Sequence, residues 1–168
     1  PKRGAYVQPE SPSGPATHIF QTRWPSYPIF SVTSACEKQQ TMYNELKTII
    51  EQAWEDRALL QDPAVQQAVR QVVELVDKGQ LRTAEPVAPD TSEWQVNEWV
   101  KKAVILYFPI QPMRKMEAGE LEWYDKMELK HGYEELGVRV VPHAVARYGA
   151  YIAPGAILMP SYVNIGAY

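Results

Sequence analysis

The sequence predicts an α+β chain: a small N-terminal helical domain followed by the first coils of a parallel β-helix, truncated while its repeat is still running. Three observations predict it. Residues 145–168 divide into four consecutive hexads, VARYGA, YIAPGA, ILMPSY and VNIGAY. Two stretches between Met42 and Gly79 carry apolar residues at helical spacing, and a third does so from Glu98. Between the last helix and the hexads lies a β-branched run, VRVVPHAV.

The chain in order justifies each part. Residues 1–41 hold six of the fourteen prolines and no sustained period, so an unstructured, unmatched extension is expected there. Its aromatic residues Tyr6, Phe20, Trp24, Tyr27 and Phe30 leave a docking segment as the alternative. From Met42, Leu46, Ile49, Ile50, Ala53, Trp54 and Arg57 fall on one helix face. Asp62 then suits an N-cap and Pro63 the first turn. Val65, Ala68, Val69, Val72, Leu75 and Val76 make a stripe, and Gly79 suits the left-handed residue that ends a helix. Residues 82–93 read as a surface loop. Asn97 can cap a third helix from Glu98 to Phe108, stopped by Pro109, with Val100, Ala103, Val104, Tyr107 and Phe108 on its face. Since Trp99, Ile105 and Leu106 are apolar too, burial on more than one side is expected. The helical domain is therefore drawn as 42–108, a connecting segment with possible short strands as 109–144, and the repeat as 145–168.

A six-residue period fits neither a helix nor a strand. It fits a triangular coil in which a large residue fills the interior and a small one turns the corner. The hexads open on Val145, Tyr151, Ile157 and Val163, and Gly149, Gly155, Ser161 and Ala167 stand four places further on. The alternative is a pair of ordinary strands punctuated by Gly and Pro. Coils bury their interiors against neighbours and need about three repeats for stability. A further coil is therefore expected to cover Ile157, Val163 and Ile165.

The composition narrows function by exclusion. A net charge of −3 without a Lys/Arg run argues against nucleic acid or an anionic membrane surface as partner. The single cysteine, Cys36, excludes an intrachain disulfide framework and suits a reducing compartment. No apolar run approaches the roughly 18 residues of a membrane span. The phosphate loops G-x-G-x-x-G and Walker A are absent, as are C-x-x-C and G-x-S-x-G. His18 and His131 have no partners at metal-ligand spacing, so no metal site is expected.

Several segments together resemble the tetrahydrodipicolinate N-succinyltransferase family of hexapeptide-repeat acyltransferases: QLRTAEP, EWVKKAVILYF, WYDKMELK, GVRVVPHAVARYGAYIAP and LMPSYVNIGAY. The resemblance runs from about Met42 to Tyr168. It implies a cytoplasmic homotrimer of left-handed β-helices that moves succinyl from succinyl-CoA, a co-substrate, to the amine of ring-opened tetrahydrodipicolinate in diaminopimelate and lysine biosynthesis. Arg139, in GVRVVP, inherits the role of binding the dicarboxylate acceptor. In the family the catalytic carboxylates and the CoA-binding coils follow the equivalent of Tyr168. The resemblance therefore assigns no catalytic, cofactor-binding or metal residue to these 168 positions and implies an inactive N-terminal portion. His143 stands where the family has a second proline and does not match the catalytic histidine of other hexapeptide acyltransferases. Arg147 is expected to brace the first coil against the helical domain, and Asn164 to bond backbone at a corner. The competing reading is a non-enzymatic trimerisation or binding module.

Overall fold

A computed structural model describes residues 30–168, with side chains from Glu37 onward. Three α-helices are followed by short paired strands: α1 (Phe30–Glu55), a 3-10 turn (Arg57–Gln61), α2 (Pro63–Asp77), β1 (Ala84–Pro86), β2 (Trp94–Val96), α3 (Glu98–Tyr107), β3 (Arg114–Ala118), β4 (Leu121–Asp125), β5 (Arg139–Val140), β6 (Val145–Ala146), β7 (Ile157–Leu158) and β8 (Tyr162–Val163). The proline-rich part of the expected extension, residues 1–29, lies outside the described residues.

The first helix begins at Phe30, where the apolar stripe alone placed it at Met42. Glu37 through Thr41 are exposed and held by local bonds, among them Gln39 Nε2 to Tyr43 Oη at 2.6 Å and Thr41 Oγ1 to the Glu37 carbonyl at 2.9 Å.

The second helix follows its sequence signals closely. The Asp62 side chain accepts from the Ala64 amide at 2.8 Å and Pro63 opens the helix. At the other end Gly79 takes φ 71°. The Gln80 amide reaches the Leu75 carbonyl at 2.8 Å and the Gly79 amide the Val76 carbonyl at 3.0 Å, the paired bonds of a Schellman motif. Val69, Val72 and Val73 are fully buried and meet Leu46, Ile50 and Ala53 of α1 and Val100, Ala103 and Leu106 of α3 in one core. Each such side chain contributes about 1.5–3 kcal/mol relative to exposure.

In α3 the expected cap is displaced. Asn97 occupies the cap position, but its Nδ2 donates to the Arg82 carbonyl and to Glu85 Oε1, both at 2.9 Å, and its side chain caps no amide. It fastens instead a β1–β2 hairpin whose first strand lies inside the segment read as loop, and the pairing of Ala84 with Val96 involves too few residues to show a period. Ile105, expected to be buried, is 42% exposed because the core takes the opposite side of α3. A second antiparallel hairpin, β3–β4, turns at Gly119 with φ 61°, the first central position of a two-residue loop that suits glycine.

Beyond it the pairing becomes parallel. β5 pairs with β7, Arg139 opposite Ile157, and β6 with β8, Val145 opposite Tyr162. Two further backbone bonds join the same stretch, from the Gly166 amide to the Gly149 carbonyl at 2.8 Å and from the Tyr151 amide to the Ala167 carbonyl at 2.9 Å. Val138, Ala146 and Ile152 form a second apolar cluster, with Val140, Leu158 and Val163 packed against it. The phase of the first three hexads is corrected by one residue, whereas the fourth opener, Val163, faces the cluster as expected. Leu158 faces the cluster while the opener Ile157 is 58% exposed, and Ala146 and Ile152 are buried beside openers only half-buried. Two tertiary contacts reset the phase. Tyr151 turns outward over Gly79, where a Cβ would lie 2.7 Å from its ring. Ile165, expected to await a further coil, is buried against the helical core. A Cβ at Gly149 would come within 2.6 Å of it and 2.9 Å of Val73. Gly149 and Gly155 do turn corners, at φ 84° and 83°, but the last corner falls at Gly166 and not at Ala167.

Candidate functional site

Arg139 opens β5 two residues after Gly137, whose φ of 65° swings the chain into the strand. The buried Val138 beneath it points to the apolar cluster, so strand alternation turns Arg139 outward. Its amide donates to the Ala156 carbonyl at 3.0 Å, fixing the backbone, while the side chain is exposed beside Ile157. No ion pair engages its guanidinium among the described residues. A guanidinium on a fixed strand, next to an apolar side chain, can offer two parallel N–H donors to a carboxylate. His143 lies four residues on, exposed and at φ 76°, the one non-glycine positive φ among the described residues. The β5–β7 pairs are offset by one residue more than the β6–β8 pairs.

The helical domain grips the strands through one polar cluster, and a second ties the β3–β4 hairpin to them. Asp77 closes α2, where a carboxylate opposes the helix dipole. Its Oδ1 accepts from Lys130 Nζ at 2.6 Å and from the Gly149 amide at 2.8 Å, with the two side chains only 4% and 16% exposed. One turn earlier Glu74 accepts from the Tyr148 hydroxyl and from Lys78 Nζ. Hydrogen bonds from Lys78 and then Tyr148 hold the Glu74 carboxyl below its ordinary range, whereas burial, together with the Glu74 charge, pushes the Tyr148 hydroxyl well above its own. Proton and charge therefore stay apportioned: Tyr148 donates and Glu74 accepts.

In the second cluster Arg147 Nη2 meets Asp125 Oδ2 at 2.7 Å and Nη1 donates to Asn164 Oδ1 at 3.2 Å. Partial burial raises the Asp125 pKa, but the Lys126 amide and the Arg147 charge outweigh it and the net shift is downward. Asn164 Oδ1 also accepts from the Ile165 amide at 3.0 Å, the backbone bond expected of it. Arg147 also lies 5.8 Å from the Phe108 ring at the end of α3, but its ion pair and hydrogen bond go to Asp125 and Asn164 and not to the helical domain it was expected to brace.

The sequence reading missed Asp77, Lys130, Glu74 and Tyr148. The available signal was an aspartate in the last turn of a helix, a placement that calls for a partner. A concavity of about 740 Å³ lies elsewhere, between α1, the Gly79–Arg82 link and the start of α3, and Arg139 does not line it. His131 borders a smaller cavity with Asp77 and Lys130. No three His, Cys, Asp or Glu side chains gather to hold a metal among the described residues.

Residues 45–110, from within α1 to just past α3, match the family model described as the tetrahydrodipicolinate N-succinyltransferase N-terminal domain. Over these residues the chain is similar to that family. Similarity to whole relatives extends beyond these residues. The 2,3,4,5-tetrahydropyridine-2,6-dicarboxylate N-succinyltransferase of Variovorax paradoxus is 47% identical over 136 residues, covering 75% of this chain and 48% of the relative. Those of Acinetobacter baylyi, 47% identical over 135 residues, and Leptothrix cholodnii, 50% over 133, cover 74% and 73% of the chain and again 48% of each relative. The chain thus spans about half the length of the curated N-succinyltransferases it matches.

Proposed function

We propose that this chain is the N-terminal part of a succinyltransferase that acylates the amine of ring-opened tetrahydrodipicolinate from succinyl-CoA, in the cytoplasmic synthesis of diaminopimelate and lysine. The observation that carries the reading is the 47% identity, over 136 residues, to an enzyme named for that transfer. In this reading residues 42–108 are the helical domain, 109–144 connect it, and 145–168 begin a left-handed β-helix through which three copies assemble. Parallel pairs linking Arg139 to Ile157 and Val145 to Tyr162 support the coil, since one coil of three hexads returns the chain beside itself after about 18 residues. Glycines with positive φ at 137, 149, 155 and 166 supply its tight corners.

Arg139 is the acceptor's clamp. The acceptor presents two carboxylates, and the exposed guanidinium fork pairs with one of them, fixing the amine relative to the thioester. Deprotonation of that amine, stabilisation of the tetrahedral oxyanion and grip on CoA fall to the half of the relatives that this chain does not span. The test joins residues 1–168 to the remaining half of the Variovorax relative and replaces Arg139 by Lys, which keeps the charge and loses the fork. A lost charge-assisted pair of about 1.5–3 kcal/mol raises the acceptor KM by roughly 10- to 150-fold and leaves the succinyl-CoA KM unchanged. Equal acceptor KM values in parent and variant would remove Arg139 from the site.

A further inference from the structure

We draw no further inference here: the strongest candidate, the exposed apolar face of the β3–β4 hairpin carrying Leu121 and Trp123, has nothing in the structure to show what covers it.

Discussion

Removing the Asp77 carboxylate should be among the most damaging single changes in the joint between helices and strands. Asp77 Oδ1 serves two donors at once, the Lys130 ammonium at 2.6 Å and the Gly149 amide at 2.8 Å. Lys130 is 4% exposed, so Asp77→Ala leaves an ammonium buried without its counter-charge, a loss of about 3–5 kcal/mol for a buried pair broken on one side. Asp77→Asn keeps an acceptor for Gly149 and removes only the charge, so it should cost less than Asp77→Ala. Lys130→Met should cost less again, because the carboxylate keeps the Gly149 amide and is 16% exposed. The double variant Asp77→Asn/Lys130→Met removes both charges and keeps the amide bond, so it should be more stable than Asp77→Asn alone. Urea unfolding followed by circular dichroism reads each value. With a slope of about 1–3 kcal/mol/M, the Asp77→Ala midpoint falls by at least about 1 M. Single losses below about 0.5 kcal/mol, or strictly additive ones, would refute a buried pair that couples α2 to the repeat.

Three further outcomes follow from the same geometry. His143→Gly should raise stability by about 0.5–1 kcal/mol, since φ 76° strains a side chain and suits glycine; unchanged thermal unfolding would argue against that corner. Gly149→Ala should lose more than about 2 kcal/mol, as its Cβ would sit 2.6 Å from Ile165 in a left-handed conformation, and a variant as stable as the parent would contradict the packing. Glu74 has a lowered folded pKa, so its contribution is present above the ordinary glutamate value of 4.5 and is lost as pH falls through the lower folded value. Unfolding free energies of parent and Glu74→Gln measured from pH 3 to 7 should therefore converge at the acid end, and a gap independent of pH would exclude the charge as its source.

Local chemistry made α2 legible to the residue. Asp62, Pro63 and Gly79 each act within a few positions of themselves, and their bonds form where the sequence puts them. The hexads were legible in period, and in phase only at Val163. Whether Tyr151 or Ile152 turns inward depends on Gly79, which offers the tyrosine ring a place, and on Val73, which receives Ile165; both lie on the far side of the fold. The start of α1 was hidden because Glu37 through Thr41 are exposed and carry no stripe, and the β1–β2 hairpin because each strand is too short to alternate. The Asp77–Lys130 pair joins residues 53 positions apart, a separation at which neither sequence neighbourhood reports the other. Arg139 was visible only through the resemblance; on composition and spacing it is one exposed arginine at a strand start.

The most direct test of the proposed activity is succinyl-CoA-dependent acylation of tetrahydrodipicolinate, measured for residues 1–168 alone and for the same residues joined to the remaining half of the Variovorax relative. The account predicts transfer by the joined protein and none by the 168 residues. Transfer by residues 1–168 alone would contradict the placement of the catalytic groups, and a folded joined protein without transfer would contradict the succinyltransferase reading itself.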